Sequence, residues 1–97
     1  MNMENEICVK DYRNVISAFM EIRPLIIEAL SSGAEKKFTE CSDLRRTFVV
    51  NNARIRALGK TIGEHFGVEI PVGTAQAWQT AADILRYLEE SHVISIG

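Results

Sequence analysis

A glycine and a proline four residues apart, Gly67 and Pro71, fix where a helix can end in this chain, and the pair Asn51-Asn52 fixes where one can begin. Asparagine is a favoured N-cap because its side-chain oxygen accepts a hydrogen bond from an otherwise unpaired backbone N–H of the first turn. Glycine takes the left-handed conformation that ends helices, and a proline disfavours helical geometry in the residue before it. Between these signals Ile55, Leu58, Ile62 and Phe66 recur three or four residues apart, which places them on one helical face. Arg54, Lys60, Thr61 and Glu64 fall largely elsewhere. The pattern predicts a central helix over 51–67, with function expected near its start, where unpaired N–H groups and a small positive potential face outward.

A chain of 97 residues can bury one core but not two, so residues 1–97 are expected to form a single domain. Hydrophobic residues make up 46% and charged ones 25%, values that fit a folded soluble protein rather than a disordered one. The formal net charge of −2 provides no global steering towards nucleic acid or an anionic membrane. Basic residues nevertheless collect between Arg45 and Lys60, and acidic ones near both ends. The start, MNMENEICVK, has no apolar run of signal-peptide length, and no segment approaches the ~20 apolar residues that span a bilayer. Cys8 and Cys41 have neither CxxC spacing nor the density of a disulfide scaffold, which points to a reduced, cytoplasmic setting.

Upstream, Tyr12, Val15, Ile16, Phe19, Ile22, Ile26 and Leu30 recur at helical spacing and predict a first helix over 9–30, stopped by Ser31-Ser32-Gly33. Pro24 interrupts it. An interior proline costs about 3 kcal/mol, so the helix is expected to kink there or to divide into two. Residues 31–47 read as a long connection with a short turn of helix near Ser42-Asp43-Leu44, anchored by Leu44 and Phe48. Downstream, 72–78 leaves room for one short helix closed by Trp78, read as a core or rim residue. Thr80-x-x-Asp83 is a weak capping box for a last helix with Ala81, Ile84, Leu85 and Leu88 on its apolar face, fraying near Ser91. The tail, 92–97, is apolar and β-prone but too short for a sheet of its own. The expected core comprises Phe19, Ile22, Leu25, Ile26 and Leu30, then Leu44 and Phe48, then Leu58, Ile62, Phe66 and Ile70, and finally Ile84, Leu85 and Leu88.

The second half of the chain resembles the acyl carrier protein family. The likeness rests on Phe66-Gly67-Val68-Glu69-Ile70-Pro71, the short segment to Trp78, Thr80, and the helix carrying Tyr87-Leu88. It covers about residues 25–90 and leaves the N-terminal helical extension, 1–23, unexplained. The resemblance implies an all-α fold: a four-helix bundle with a long first helix, kinked or broken at Pro24, and a short third helix. In that family the second helix opens with Asp-Ser-Leu, and the serine carries a 4′-phosphopantetheine arm that holds acyl groups as thioesters. Counting back from Phe66 without gaps puts Asn52 at the serine's place, after Asn51 and before Ala53.

The departures set the functional expectation. The arm is joined through a hydroxyl oxygen, and an amide side chain has none to offer. Thr47 and Thr61 lie too far from Asn52 to replace it. The family's second helix is usually acidic and docks on basic surfaces of enzymes, whereas this one carries Arg54, Arg56 and Lys60. Like charge across such an interface can cost several kcal/mol.

The reading is a carrier-protein-like domain without the arm, neither an enzyme nor a cofactor protein, that binds a protein with an acidic surface or an anion through Asn51, Asn52, Arg54, Arg56 and Lys60. The resemblance places enzymes of acyl metabolism among the candidate partners. Two alternatives stay open. One is a genuine acyl or aminoacyl carrier in fatty acid, polyketide or related synthesis, with 4′-phosphopantetheine attached elsewhere; the other is an unrelated small helical adaptor. Leu58-Gly59-Lys60-Thr61 imitates the end of a phosphate-binding loop, but Arg54 stands where the first glycine is required. Gly59 and Gly63 are read as a site of close helix packing rather than a dimerisation face. His65 and His92 form no metal-ligand pattern with the cysteines, and no catalytic grouping is indicated by spacing.

Overall fold

The computed structural model describes residues 10–30 and 37–96. Among them are five helices and two short strands, in the order β1 (Lys10–Tyr12), α1 (Val15–Leu30), α2 (Leu44–Phe48), α3 (Asn52–Phe66), α4 (Val72–Ala77), α5 (Ala81–Glu90) and β2 (Ile94–Ile96). Cys8, Val9, the expected stop Ser31-Ser32-Gly33 and Gly97 lie outside the described residues.

The first helix starts later than the apolar spacing suggests. Asn14 is the reason: its Oδ1 accepts from the Ser17 backbone N at 2.9 Å, and its carbonyl accepts from Ala18 N. Tyr12 therefore belongs to a strand, and Val15 and Ile16, expected on the inward face, are exposed. The inward face of α1 is Ala18, Phe19, Ile22, Ile26, Ala29 and Leu30. The helix is continuous through Pro24, which is itself exposed. Burying each large apolar side chain contributes about 1.5–3 kcal/mol, so Phe19, Ile22, Ile26 and Leu30 together outweigh the ~3 kcal/mol of one interior proline.

The long connection is pinned rather than loose where it is described. Phe38 packs edge-on between Phe19 and Phe48, with ring centroids 5.4 and 5.2 Å away. Leu44 N donates to Gln79 O at 2.8 Å, and Ala82 N donates to Glu40 O at 2.9 Å, so backbone bonds tie this stretch to the α4–α5 turn. Asp43 caps α2 by accepting from Arg46 N at 3.0 Å.

The central helix packs on α1 and α4, and α1 packs on α5. Its end at Gly67 has φ 72°, the left-handed geometry for which glycine is suited. The capping box of α5 is complete: Asp83 N donates to Thr80 Oγ1, and Asp83 Oδ2 accepts from Thr80 N. One apolar cluster includes every expected core residue except Leu25, Phe66 and Ile70, which are partly buried against it. Ile55, Ala75, Trp78, Val93 and Ile94 join it, and the indole of Trp78 is 3% exposed, which makes it a core residue.

The all-α expectation needs one correction. The tail pairs with the N-terminal extension as a two-stranded parallel sheet, Lys10 opposite Ile94 and Tyr12 opposite Ile96. Each segment alone is too short for a sheet. Parallel pairing requires a long crossover, and here the five helices supply it.

Candidate functional site

The start of α3 is built by three residues acting on different elements. Asn51 has extended geometry, φ −102° and ψ −177°, and its Oδ1 accepts from Arg54 N at 3.1 Å. It is the cap, which leaves Asn52 as the first helical residue. The Asn52 amide is engaged from outside the helix: Arg45 Nη1 donates to its Oδ1 at 2.7 Å. Arg45 Nη2 donates in turn to the carbonyl of Gln76 at 2.9 Å. One guanidinium thus clamps the end of α4 to the start of α3.

Val49 lies between Arg45 and Asn51. It ends α2 with φ 52° and ψ 58°, and its side chain is 84% exposed. For a β-branched residue the left-handed region is strained by roughly 1–2 kcal/mol, and water surrounding an apolar side chain offers no compensation.

Asn51, Asn52, Arg54, Arg56 and Lys60 are all exposed. The side chains of Arg54, Arg56 and Lys60 make no hydrogen bond or ion pair among the described residues. They do not form one cluster. At about 100° per residue Arg54 lies ~200° round the helix from Arg56, on the opposite flank. Asn52, Arg56, Lys60 and Glu64 instead follow one another at intervals of four along a single row. Arg56, Lys60 and Glu64 of that row border a groove of about 640 Å³ whose far side is the 67–70 connection together with Val72 and Ala75 of α4.

Gly59 lets α4 come close, and Gly63 lets the connection after α3 fold back on it. A Cβ on Gly59 would lie 2.7 Å from the Cβ of Ala75, and one on Gly63 would lie 2.6 Å from the carbonyl oxygen of Val68. Close packing is therefore their role. Leu58-Gly59-Lys60-Thr61 sits in the middle of α3 and forms no phosphate-binding loop.

At the other end of α3, Glu21 Oε2 accepts from His65 Nε2 at 2.7 Å and from Lys10 Nζ at 3.0 Å. The bond from His65, then that from Lys10, holds the Glu21 carboxyl below its ordinary range. The same bond to Glu21 raises the Lys10 ammonium. These contacts join β1, α1 and α3 and are structural. Cys41 is a free, exposed thiol. Among the described residues there is no metal-binding grouping of His, Cys, Asp or Glu, and no helix is long and apolar enough to cross a membrane.

Arg45 and Val49 are the site residues that sequence reasoning misses. Arg45 finds its partner 31 residues away on α4, which no local pattern predicts. Valine is among the least expected residues for a left-handed helix end. No family model, curated protein or solved structure matches this chain.

Proposed function

We propose that this is a carrier-protein-like four-helix domain that has no prosthetic arm and works by binding another protein at the start of α3. The order of elements supports the likeness: a long α1, a long connection with one turn of helix, α3 ended by a left-handed glycine, a short α4 and a capped α5. The terminal strand pair lies outside that resemblance. The observation that carries the reading is the bond from Arg45 to Asn52. At the position where the family holds its serine, this chain has an amide with no nucleophilic oxygen, fixed by a cation. Arg54 stands exposed on one flank of α3, and Arg56 and Lys60 are exposed on the row that continues from Asn52, cations suited to an acidic partner surface.

Incubation with coenzyme A and a phosphopantetheinyl transferase tests the reading by intact mass. No gain is expected. A stoichiometric gain mapped to any residue would make the chain a genuine carrier. Rim charges act mostly on association rate, so reversing Arg54 and Arg56 to Glu is expected to slow binding to an acidic partner and abolish its weakening by salt. An unchanged rate and salt slope would contradict the assignment of this surface.

A further inference from the structure

We infer that the groove along α3 receives an amphipathic helix of the partner protein, acidic at one end and basic at the other. This deepens, and rests on, the reading of the domain as a protein-binding module.

The α3 wall follows one line along the helix. Arg56 and Lys60 stand one turn apart and exposed, and the line continues at i+7 and i+11 through Gly63, which is packed against Val68 of the chain itself, to the cap Gly67, so the wall is low beyond Lys60. From Arg56 to Gly67 the wall runs about 16 Å, enough for three turns of an occupant. The opposite wall offers Val72, which is 52% exposed, and Ile70. The α3 wall is helical and offers no open backbone edge to an added strand, and the other wall, the 67–70 connection with Val72 and Ala75, presents the apolar side chains Ile70 and Val72, a combination that favours a helix with an apolar stripe over an extended strand.

Charge fixes the occupant's polarity. Arg56 and Lys60 stand at the end nearer Asn52, and Glu64 and Glu69 at the other. A uniformly apolar helix would leave both pairs beside it unanswered, and a helix charged with one sign throughout would meet repulsion at one end. A helix acidic over Arg56 and Lys60 and basic over Glu64 and Glu69 complements both. Its acidic end also extends towards the surface around Asn52, where the acidic partner of the proposed function would dock.

The probe is a pair of synthetic peptides of about sixteen residues, ~24 Å as helices. Each has leucines at helical spacing, one with glutamates at its N-terminal end and lysines at its C-terminal end, the other reversed. Titration of either into the full isotopically labelled chain is expected to shift the amides of Ala57, Gly59, Lys60, Gly63 and Gly67. Val72→Glu should weaken the binding peptide about tenfold, as loss of one central apolar contact does. Lys60→Glu, exposed and away from the core, should weaken it too and guards against a folding defect in the first variant. Equal affinity in both variants would overturn the inference. So would groove shifts produced by dodecanoate but by neither peptide, which would mark a small-amphiphile site, or by raising the concentration of the chain alone, which would mark a second copy. Loss of peptide binding in Arg54→Glu but not in Val72→Glu would remove the groove while the protein-binding reading stood. Absence of peptide shifts anywhere on α3 at about 1 mM, well above the micromolar range of ordinary partners, would overturn the groove and weigh against the proposed function as well.

Discussion

Val49 places an apolar, β-branched side chain in left-handed geometry and in water, two unfavourable features at one residue. Strain of this kind persists where the surroundings impose it and is concentrated at functional sites. Replacing Val49 with Gly should relieve it and raise stability by about 0.5–1 kcal/mol, or a few degrees in Tm. The same change should weaken partner binding, because it removes an exposed contact beside Asn51. A melting curve that is unchanged or shifted down would show that the conformation is not strained. Asn51, Gly67 and the Thr80–Asp83 pair were legible in sequence because a cap is decided by one residue and its next turn. Val49 was not, since its conformation runs against its own propensity and is imposed by the close of α2 and the start of α3. Asn14 was hidden for a different reason: Tyr12 and Val15 fit a helical period, and a period alone cannot say which of its members begins the helix.

At the scale of elements, the Glu21 cluster adds a polar tie from the first strand to α1 and α3, beside the strand's pairing with β2 and the packing of Tyr12 on the core. The Glu21 pKa is lowered in the fold, so its contribution is fully present above the ordinary glutamate value of 4.5 and is lost as pH falls through the lower, folded value. Lys10, raised above 10.5, contributes below that value and loses its contribution as pH rises through the folded one. The groups are partly solvated, which limits the effect to about 0.5–1 kcal/mol. Between about pH 6 and about pH 3, urea denaturation should show the native chain losing that much more stability than the Glu21→Gln variant. Parallel pH profiles for the two chains would exclude a stabilising role for the carboxylate. The three longer helices were legible because each carries its own apolar stripe. The sheet was not: Lys10-Asp11-Tyr12 and Ile94-Ser95-Ile96 each lack the length to declare a strand, and only the packed helices bring them side by side. The groove was equally invisible, because Gly59 and Gly63 announce close packing without saying that Ala75 and Val68 will be what packs there.

For the whole molecule, the distribution of charge matters more than its sum. A chain of net charge −2 presents Arg45, Arg54, Arg56 and Lys60 around or beyond the start of one helix, with Glu64 and Glu69 further along. On the proposed carrier-like reading, an enzyme adapted to an acidic carrier helix would meet repulsion here even with a hydroxyl at position 52. The most direct test is therefore to place a hydroxyl there. Asn52→Ser should supply the nucleophile while leaving the basic surface, and should also release Arg45 from its amide partner. After incubation with coenzyme A and a transferase that recognises acidic carrier helices, intact mass should show little gain for Asn52→Ser. The gain should be substantially larger once Arg54, Arg56 and Lys60 are also made Glu. Efficient modification of the single Asn52→Ser variant would show that the basic helix excludes no carrier enzyme, and would contradict a surface retuned for different partners.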